Sequence, residues 1–427
     1  MKTNNASPAC KLERELPAYA QGELSAAAQA TLEQHLASCP GCRKALQEYR
    51  ELLGALRELP DAELSPDVTA RTLNEIHREA ARRRFEWRPF LRAAALWILV
   101  FSVAAIAAGV AWTRSRRSRS DTARERAAQW LVSAQLPDGR WDVRPGPAPS
   151  RHAVGITALA MMALSGERPA LDKAAYSPAL ARAADYLVAQ QAPDGRFGAV
   201  HSAAMYNTAM SVIALMRAGA GETDAARNSA AERGVAFILA TQRPGGGWGY
   251  LRQPEGSMNT SITAWQLLAL MEAEEAAGRP DVHDAIRRGL DWMATTVDPK
   301  GRVGYSAARD FPFGYATLTA AGALCAMKQS AAAPQLLDAF LQVARETGTR
   351  ADIYQHYFVA AALGEYGKPD ARERLLELQC ALRARQIAAG PDAGAWDSSD
   401  RWSSAGGPVY TTSMAMMALQ VSAGGKS

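Results

Sequence analysis

Three stretches decide how this chain folds: WLVSAQLPDGRW at 130–141, YLVAQQAPDGRF at 186–197 and FILATQRPGGGW at 237–248. Each opens on an aromatic residue and a turn of aliphatics, reaches Gln, breaks at a Pro/Gly turn and closes on an aromatic. The aliphatic spacing predicts the end of a helix, and the Pro/Gly turn stops it. WMATTVDPKGRV at 292–303 is a degenerate fourth copy, with Val297 for Gln and Val303 for the closing aromatic. A late copy keeps Gln386, Gly390 and Trp396 around a longer loop.

A second pattern follows each loop. Leu164, Leu215, Leu270, Leu324, Leu363 and Leu419 are preceded, seven residues earlier, by Thr157, Thr208, Thr263, Thr317, His356 and Thr412. Nine residues earlier stand Gly155, Tyr206, Ser261, Tyr315, Tyr354 and Tyr410. Units of this length fit only a helical hairpin with a structured loop. Six such pairs suit a closed ring of six outer and six inner helices, which leaves no open end to cap. The Thr/Tyr-bearing helices are the smaller and more apolar, and are expected inside.

The loop motif, read from Trp130-Leu131 through Gln135 and Gly139 to Trp141, and from Arg233-Gly234 and Phe237 through Gln242 and Gly246 to Trp248, resembles the QW repeat of squalene–hopene cyclases and the related prenyltransferase repeats. The resemblance covers about residues 121–422 and implies an α/α toroid, with Gln and the aromatic stapling adjacent helix pairs. It does not by itself imply an activity. The D-x-D-D acid motif of class II terpene cyclases is missing; Asp281-Val-His-Asp284 and Asp397-Ser-Ser-Asp400 lack the adjacent Asp pair. No D-x-C pair of the protein prenyltransferases occurs after residue 120, and Cys325 and Cys380 lie in helical runs that read as buried. The C-G-E-Q thioester of complement-like toroids is absent as well.

What the resemblance leaves open is a binding funnel at the N-terminal ends of the inner helices. Tyr206, Asn207, Asn259, Tyr315, Tyr354, His356 and Tyr410 are the residues expected to line it, against the plainer alternative that they cap and pack helices. His356 breaks a column that the other five copies fill with Thr.

The amino-terminal part has a different chemistry. His35-Leu-Ala-Ser-Cys39-Pro-Gly-Cys42 puts His35 and Cys39 on one helix face, four residues apart, and Cys42 across a turn. Ser25 is the expected N-cap of that helix, and Pro40-Gly41 the turn that ends it. Three zinc-type ligands are then local, with Cys10 upstream and His77 downstream competing for the fourth place. Redox chemistry of the C-x-x-C pair is the alternative. The run from Cys10 through Tyr19, Gly22, Glu23 and Leu24 to HLASCPGCR resembles the zinc-finger domain of zinc-binding anti-sigma factors over about residues 9–60. That resemblance implies Cys10, His35, Cys39 and Cys42 as zinc ligands and an extracytoplasmic-function sigma factor as partner. Leu52, Leu56, Leu73 and Ile76 are the apolar positions it would offer to that partner.

Between the two parts, AAALWILVFSVAAIAAGVAW at 93–112 carries no charge and has the ~20-residue length of a membrane-spanning helix. Arg clusters flank it on both sides, so charge bias gives no orientation. Thiolate ligands favour a reducing compartment for the amino-terminal part. With 427 residues, 48% of them hydrophobic, the chain is long enough for more than one core, and its net charge of +5 is too small to indicate a nucleic-acid surface.

The expectation is therefore an all-α protein: a zinc-bound helical domain at 1–92, a transmembrane helix at 93–112, a linker at 113–120 and a toroid at 121–427. It would sit in the bacterial inner membrane, amino terminus in the cytoplasm and toroid outside, as an anti-sigma regulator sensing an apolar or cell-envelope ligand. A membrane-tethered terpenoid-modifying enzyme and a protein-gripping scaffold are the rivals.

Overall fold

The computed structural model describes residues 12–57, 66–82, 122–143, 146, 148–166, 173–219, 224–251, 253 and 257–422. The chain divides into two compact units, Met1–Val103 and Ala104–Ser427. Every described regular element in both is helical.

In the first unit a 3-10 turn, Glu13–Glu15, leads into α1, Leu16–Gln21, which ends at Gly22 in the left-handed region (φ 78°). The helix α2, Ala26–Ser38, follows Ser25, whose extended backbone (ψ 152°) starts the helix without a side-chain cap bond. Cys39 alone breaks the chain between α2 and α3, Pro40–Arg57, because its backbone is extended (φ −105°, ψ 104°). Pro40, expected in a turn, instead opens α3, where its missing N–H costs nothing. The Arg43 guanidinium donates to the carbonyls of Leu36 and Ala37, at 2.6 and 3.0 Å, and so caps the end of α2. The core is small: Leu16, Leu32, Leu36, Cys42 and Leu46. A further helix, α4, runs Pro66–Arg82.

The second unit alternates outer and inner helices. The outer ones are α5 (122–133), α7 (Lys173–Ala189), α9 (Ala225–Ala240), α11 (Pro280–Thr295), α13 (Pro334–Glu346) and α15 (Pro369–Ala384). The inner ones are α6 (Ala153–Leu164), α8 (Ala204–Gly219), α10 (Thr260–Ala277), α12 (Ala316–Lys328), α14 (Ile353–Tyr366) and α16 (Ser403–Gln420). Each inner helix packs on the next, and α16 packs back on α6, so the inner ring is closed. All twelve residues of α6 are buried. The Thr/Tyr-bearing helices are thus the inner ones. This is the α/α toroid the repeats predict.

The motif residues explain the ring. Gln135, Gln191 and Gln242 each donate from Nε2 to their own loop glycine carbonyl (2.9, 3.0 and 2.7 Å) and to a carbonyl of the next outer helix, Ala179, Ala230 or Ala285, at 2.8 Å. Their Oε1 atoms accept from Arg182, Arg233 and Arg288 of those same helices. The loop glycine turns with positive φ under the carbonyl of the same arginine; at Gly195 (φ 91°) a Cβ would stand 2.2 Å from the Arg233 oxygen. No other residue fits there.

The closing aromatic works within its own hairpin. The indole N–H of Trp141 donates to Leu131 of α5 at 2.7 Å, while its backbone N–H donates to Thr157 Oγ1 of α6 at 3.0 Å. Phe197, Trp248 and Trp396 use Thr208, Thr263 and Thr412 in the same way. In the fourth hairpin the backbone of Val303 donates to Thr319, two residues beyond the expected Thr317. In the last loop Gln386 caps Gly394, at 2.8 Å, where the sequence pattern pointed to Gly390.

One expectation is overturned. Among the described residues, no helix is long and apolar enough to cross a membrane. The single-pass inner-membrane placement, with a cytoplasmic amino terminus and an external toroid, is corrected on that finding. The segment at 93–112 that prompted it lies outside the described residues.

Candidate ligand cavity and metal centre

The toroid encloses a cavity of about 730 Å³, within the range of small-molecule sites. Its wall comes from the N-terminal halves of the inner helices and from the loops that precede them. Tyr206, Asn207, Tyr354 and Tyr410 all line it. Tyr206 donates to Ser261 Oγ at 3.1 Å; Ser261 pairs with the Tyr354 hydroxyl at 3.0 Å, which also accepts the Trp265 indole N–H at 2.8 Å. Hydroxyls of three inner helices are thus joined into one chain.

Aromatic rings make up much of the remaining surface. Tyr250 meets Tyr206 edge to face at 6.5 Å, and Phe313 bridges Tyr305 and Trp402 at 6.4 and 5.6 Å. Phe313 is 53% exposed. Burial raises the pKa of the phenols of Tyr206, Tyr305, Tyr354 and Tyr410, so all four are neutral near pH 7. The other titratable groups on the wall are Tyr250, His152 and Arg401, and no Asp or Glu is among the described residues that line it. Burial, then the charge of Arg151, lowers the His152 pKa and favours its neutral form.

Three expected lining residues stand elsewhere, each for a local reason. Asn259 is spent as the N-cap of α10, its side chain accepting from Ile262 N at 2.9 Å. Tyr315 turns toward Phe311 (5.8 Å) and the Arg302 guanidinium (5.2 Å), with its hydroxyl 3.4 Å from Glu346. His356 is 1% exposed and folds back so that Nδ1 lies 3.1 Å from the Asp352 carbonyl of its own helix. The sequence reading missed Trp265, Tyr250, Tyr305, Phe313, Arg401 and Trp402. Aromatics placed just before the inner helices were the available signal for most of them.

In the first unit, one ligand atom from each of His35, Cys39 and Cys42 lies within 4.8 Å of the others. The last turn of α2 supplies His35, the break supplies Cys39, and the first turn of α3 supplies Cys42, which is 2% exposed. An imidazole and two thiolates in one part-buried triangle is a zinc-type donor set, and the residues fit the metal. Cys10, the expected fourth ligand, lies outside the described residues. Among the apolar positions expected to meet a partner, Leu52, Leu73 and Ile76 are 56%, 50% and 55% exposed. The side chain of Leu56 lies outside the described residues.

Comparison with known proteins matches each unit separately. Residues 11–43 match the family described as "Putative zinc-finger", and residues 103–255 and 148–313 match the squalene-hopene cyclase C-terminal domain. A squalene–hopene cyclase of Bradyrhizobium diazoefficiens is 28% identical over 209 residues, 42% of this chain and 30% of that protein. A drimenyl diphosphate synthase of Streptomyces showdoensis is 30% identical over 194 residues, 44% of this chain and 33% of that protein. The chain therefore spans about a third of the length of these curated relatives. Among solved structures, the type II terpene cyclase MstE from Scytonema (apo) superposes with a TM-score of 0.52 at 15% identity, covering 71% of this chain and 98% of that one. The GH76A α-1,6-mannanase of Salegentibacter superposes with a TM-score of 0.54 at 13% identity, over the same shares. At such identities the likeness is one of fold alone. The chain joins a zinc-finger segment like that of anti-sigma factors to an α/α toroid like that of the squalene–hopene cyclases.

Proposed function

We propose that the protein is a regulator: its toroid binds an apolar ligand without converting it, and its zinc-held first unit acts on a sigma factor. The cavity carries this reading. It is large, aromatic and lined by neutral hydroxyls, with no carboxylate among the described residues that line it to protonate an alkene. General-acid chemistry on a hydrocarbon needs such a group in contact with the reacting atom. The exposed Leu52, Leu73 and Ile76 and the match of residues 11–43 support the regulatory half.

Zinc, where bound, would hold α2 to α3 through His35, Cys39 and Cys42; it supplies a fold and no reaction step. The test is to incubate the full chain with a linear C15 isoprenoid alcohol and to follow tryptophan fluorescence and the recovered compound together. Saturable binding with the alcohol recovered unchanged is the expected result. A cyclised or hydrated product would instead establish the rival, a terpenoid-modifying enzyme, which the two curated relatives favour. For the partner, affinity purification from the host should bring down a sigma factor, and this should weaken with Leu73→Glu.

A further inference from the structure

Beside an interior with no acid among its described lining residues, the cavity has a cationic edge. Arg401 lines it, packed beside the edge-to-face pair Phe313 and Trp402, with its guanidinium carbon 5.0 Å from the Phe313 centroid and 4.9 Å from that of Trp402. One N–H of its fork donates to the Phe313 carbonyl at 3.2 Å. Among the described residues no carboxylate stands within ion-pair distance of it, which leaves the other donors of a five-donor fork for a ligand. Arg151 is likewise without an ion pair among the described residues. It lines a second, polar pocket that shares His152 and Ala405 with the cavity.

The acids nearest this edge are already engaged by backbone amides. Asp400 accepts from Ile353, Trp402 and Ser403 at 3.1, 3.1 and 2.9 Å, and Asp352 accepts from Gln355 at 2.8 Å. Asp142 accepts from Val143 and Ser150 at 2.7 and 2.8 Å. The α6 and α8 N-termini add the positive ends of their dipoles on the same side. An apolar hole rimmed by a pre-oriented guanidinium with no ion pair among the described residues is asymmetric, and a pure hydrocarbon would leave that asymmetry unused.

Resting on the reading of the toroid as a binding device, we propose that its ligand is an amphiphile. Its single anionic head, a carboxylate or a phosphate, is held at Arg401 with Arg151 in support, and its apolar chain fills the aromatic interior. The two rings and the Phe313 carbonyl restrain the guanidinium, so it meets the head with less of the ordering cost a free arginine incurs.

The test uses the full chain, tryptophan fluorescence and four probes at constant ionic strength: dodecanol, dodecanoate, dodecyl phosphate and inorganic phosphate. At least one charged amphiphile should bind about tenfold or more tighter than dodecanol, and whichever it is identifies the head as carboxylate or phosphate. Arg401→Ala should reduce that preference to about twofold, and Arg401→Lys should keep part of it. Equal binding of dodecanol and both charged probes would overturn the proposal and leave the binding reading intact. A preference that survives Arg401→Ala and Arg151→Ala together would overturn it too, as would displacement of dodecyl phosphate by millimolar inorganic phosphate. Failure of all the amphiphiles to bind would remove the binding reading and this proposal with it.

Discussion

The side-chain amide of Gln386 donates to the carbonyl of Ala123 at 2.8 Å, across 263 residues of sequence. It is the bond that Gln135, Gln191 and Gln242 make to the next outer helix, used here to join the last hairpin to the first. Gly394 repeats the glycine contact at the same seam: at φ 100° a Cβ would lie 2.5 Å from the Arg126 carbonyl. A local turn motif therefore becomes a closure device when the repeat that follows is the first one.

Closing the seam has a measurable weight. Gln386→Ala removes the donor from the Ala123 and Gly394 carbonyls, and unmade bonds to part-buried acceptors cost about 2 kcal/mol together. Urea unfolding of the full chain should show the toroid transition lowered by that amount. Gln242→Ala should cost a similar amount, since it leaves the carbonyls of Gly246 and Ala285 in the same state.

Two glycines of the last loop separate conformational strain from collision. Gly390 has φ 89° and nothing within 4 Å of a built Cβ, so Gly390→Ala should cost only the left-handed penalty, about 1–2 kcal/mol. Gly394→Ala adds a backbone carbonyl at 2.5 Å and should cost more than about 3 kcal/mol, read as a difference in urea midpoints.

The toroid was legible because its motif is local: Gln, Gly and the aromatic lie within one turn of each other and carry their own chemistry. Register was legible from the leucine spacing except in the fourth hairpin. There Val303 bonds Thr319 and not Thr317, so the seven-residue offset from Leu324 fails, although Val303 and Thr319 stand as far apart in sequence as Trp141 and Thr157. The fifth hairpin lacks the Gln/aromatic loop, so Leu363 set His356 in a column with no partner across it. Gln355 instead reaches Thr347 Oγ1 at 2.9 Å. The cavity wall was half legible. Tyrosines on inner helices follow the repeat, whereas Phe313, Arg401 and Trp402 meet only once the ring closes.

Among the described residues the first unit's core has five buried members, too few to hold 46 residues or so without a staple. The purified chain should carry about one equivalent of zinc, and Cys42→Ser or a strong chelator should remove it. Helical circular dichroism should then fall by the contribution of α1 to α3, while the toroid keeps its own unfolding transition. Full retention of first-unit helicity after metal removal would show that the metal does not hold that fold.

On the alkaline side, burial raises the phenol pKa of Tyr186 (to about 12), Tyr206, Tyr305, Tyr354, Tyr357 and Tyr410. Their folded values lie above the unfolded value of 10.0, so the unfolded chain ionises first. The stabilisation is complete below about pH 10 and is lost as pH rises through the folded values, by about 1.4 kcal/mol per pH unit for each tyrosine. Tyrosinate absorbance should appear late and together with unfolding.

His356 governs the acid side in the opposite direction. Burial, reinforced by the charge of Arg385, lowers its pKa below 6.5, against the opposing pull of the Asp352 carbonyl and carboxylate. The folded state therefore keeps it neutral while the unfolded chain takes up a proton, and stability present above about pH 6.5 is lost as pH falls below it. Asp352, whose pKa burial raises, works in the reverse sense and favours the folded state at lower pH. His356→Leu should consequently flatten the urea midpoint between about pH 6.5 and 5 by up to about 1–2 kcal/mol, whatever it does to the midpoint at pH 8. An unchanged slope in that window would mean that the imidazole is protonated in the folded toroid.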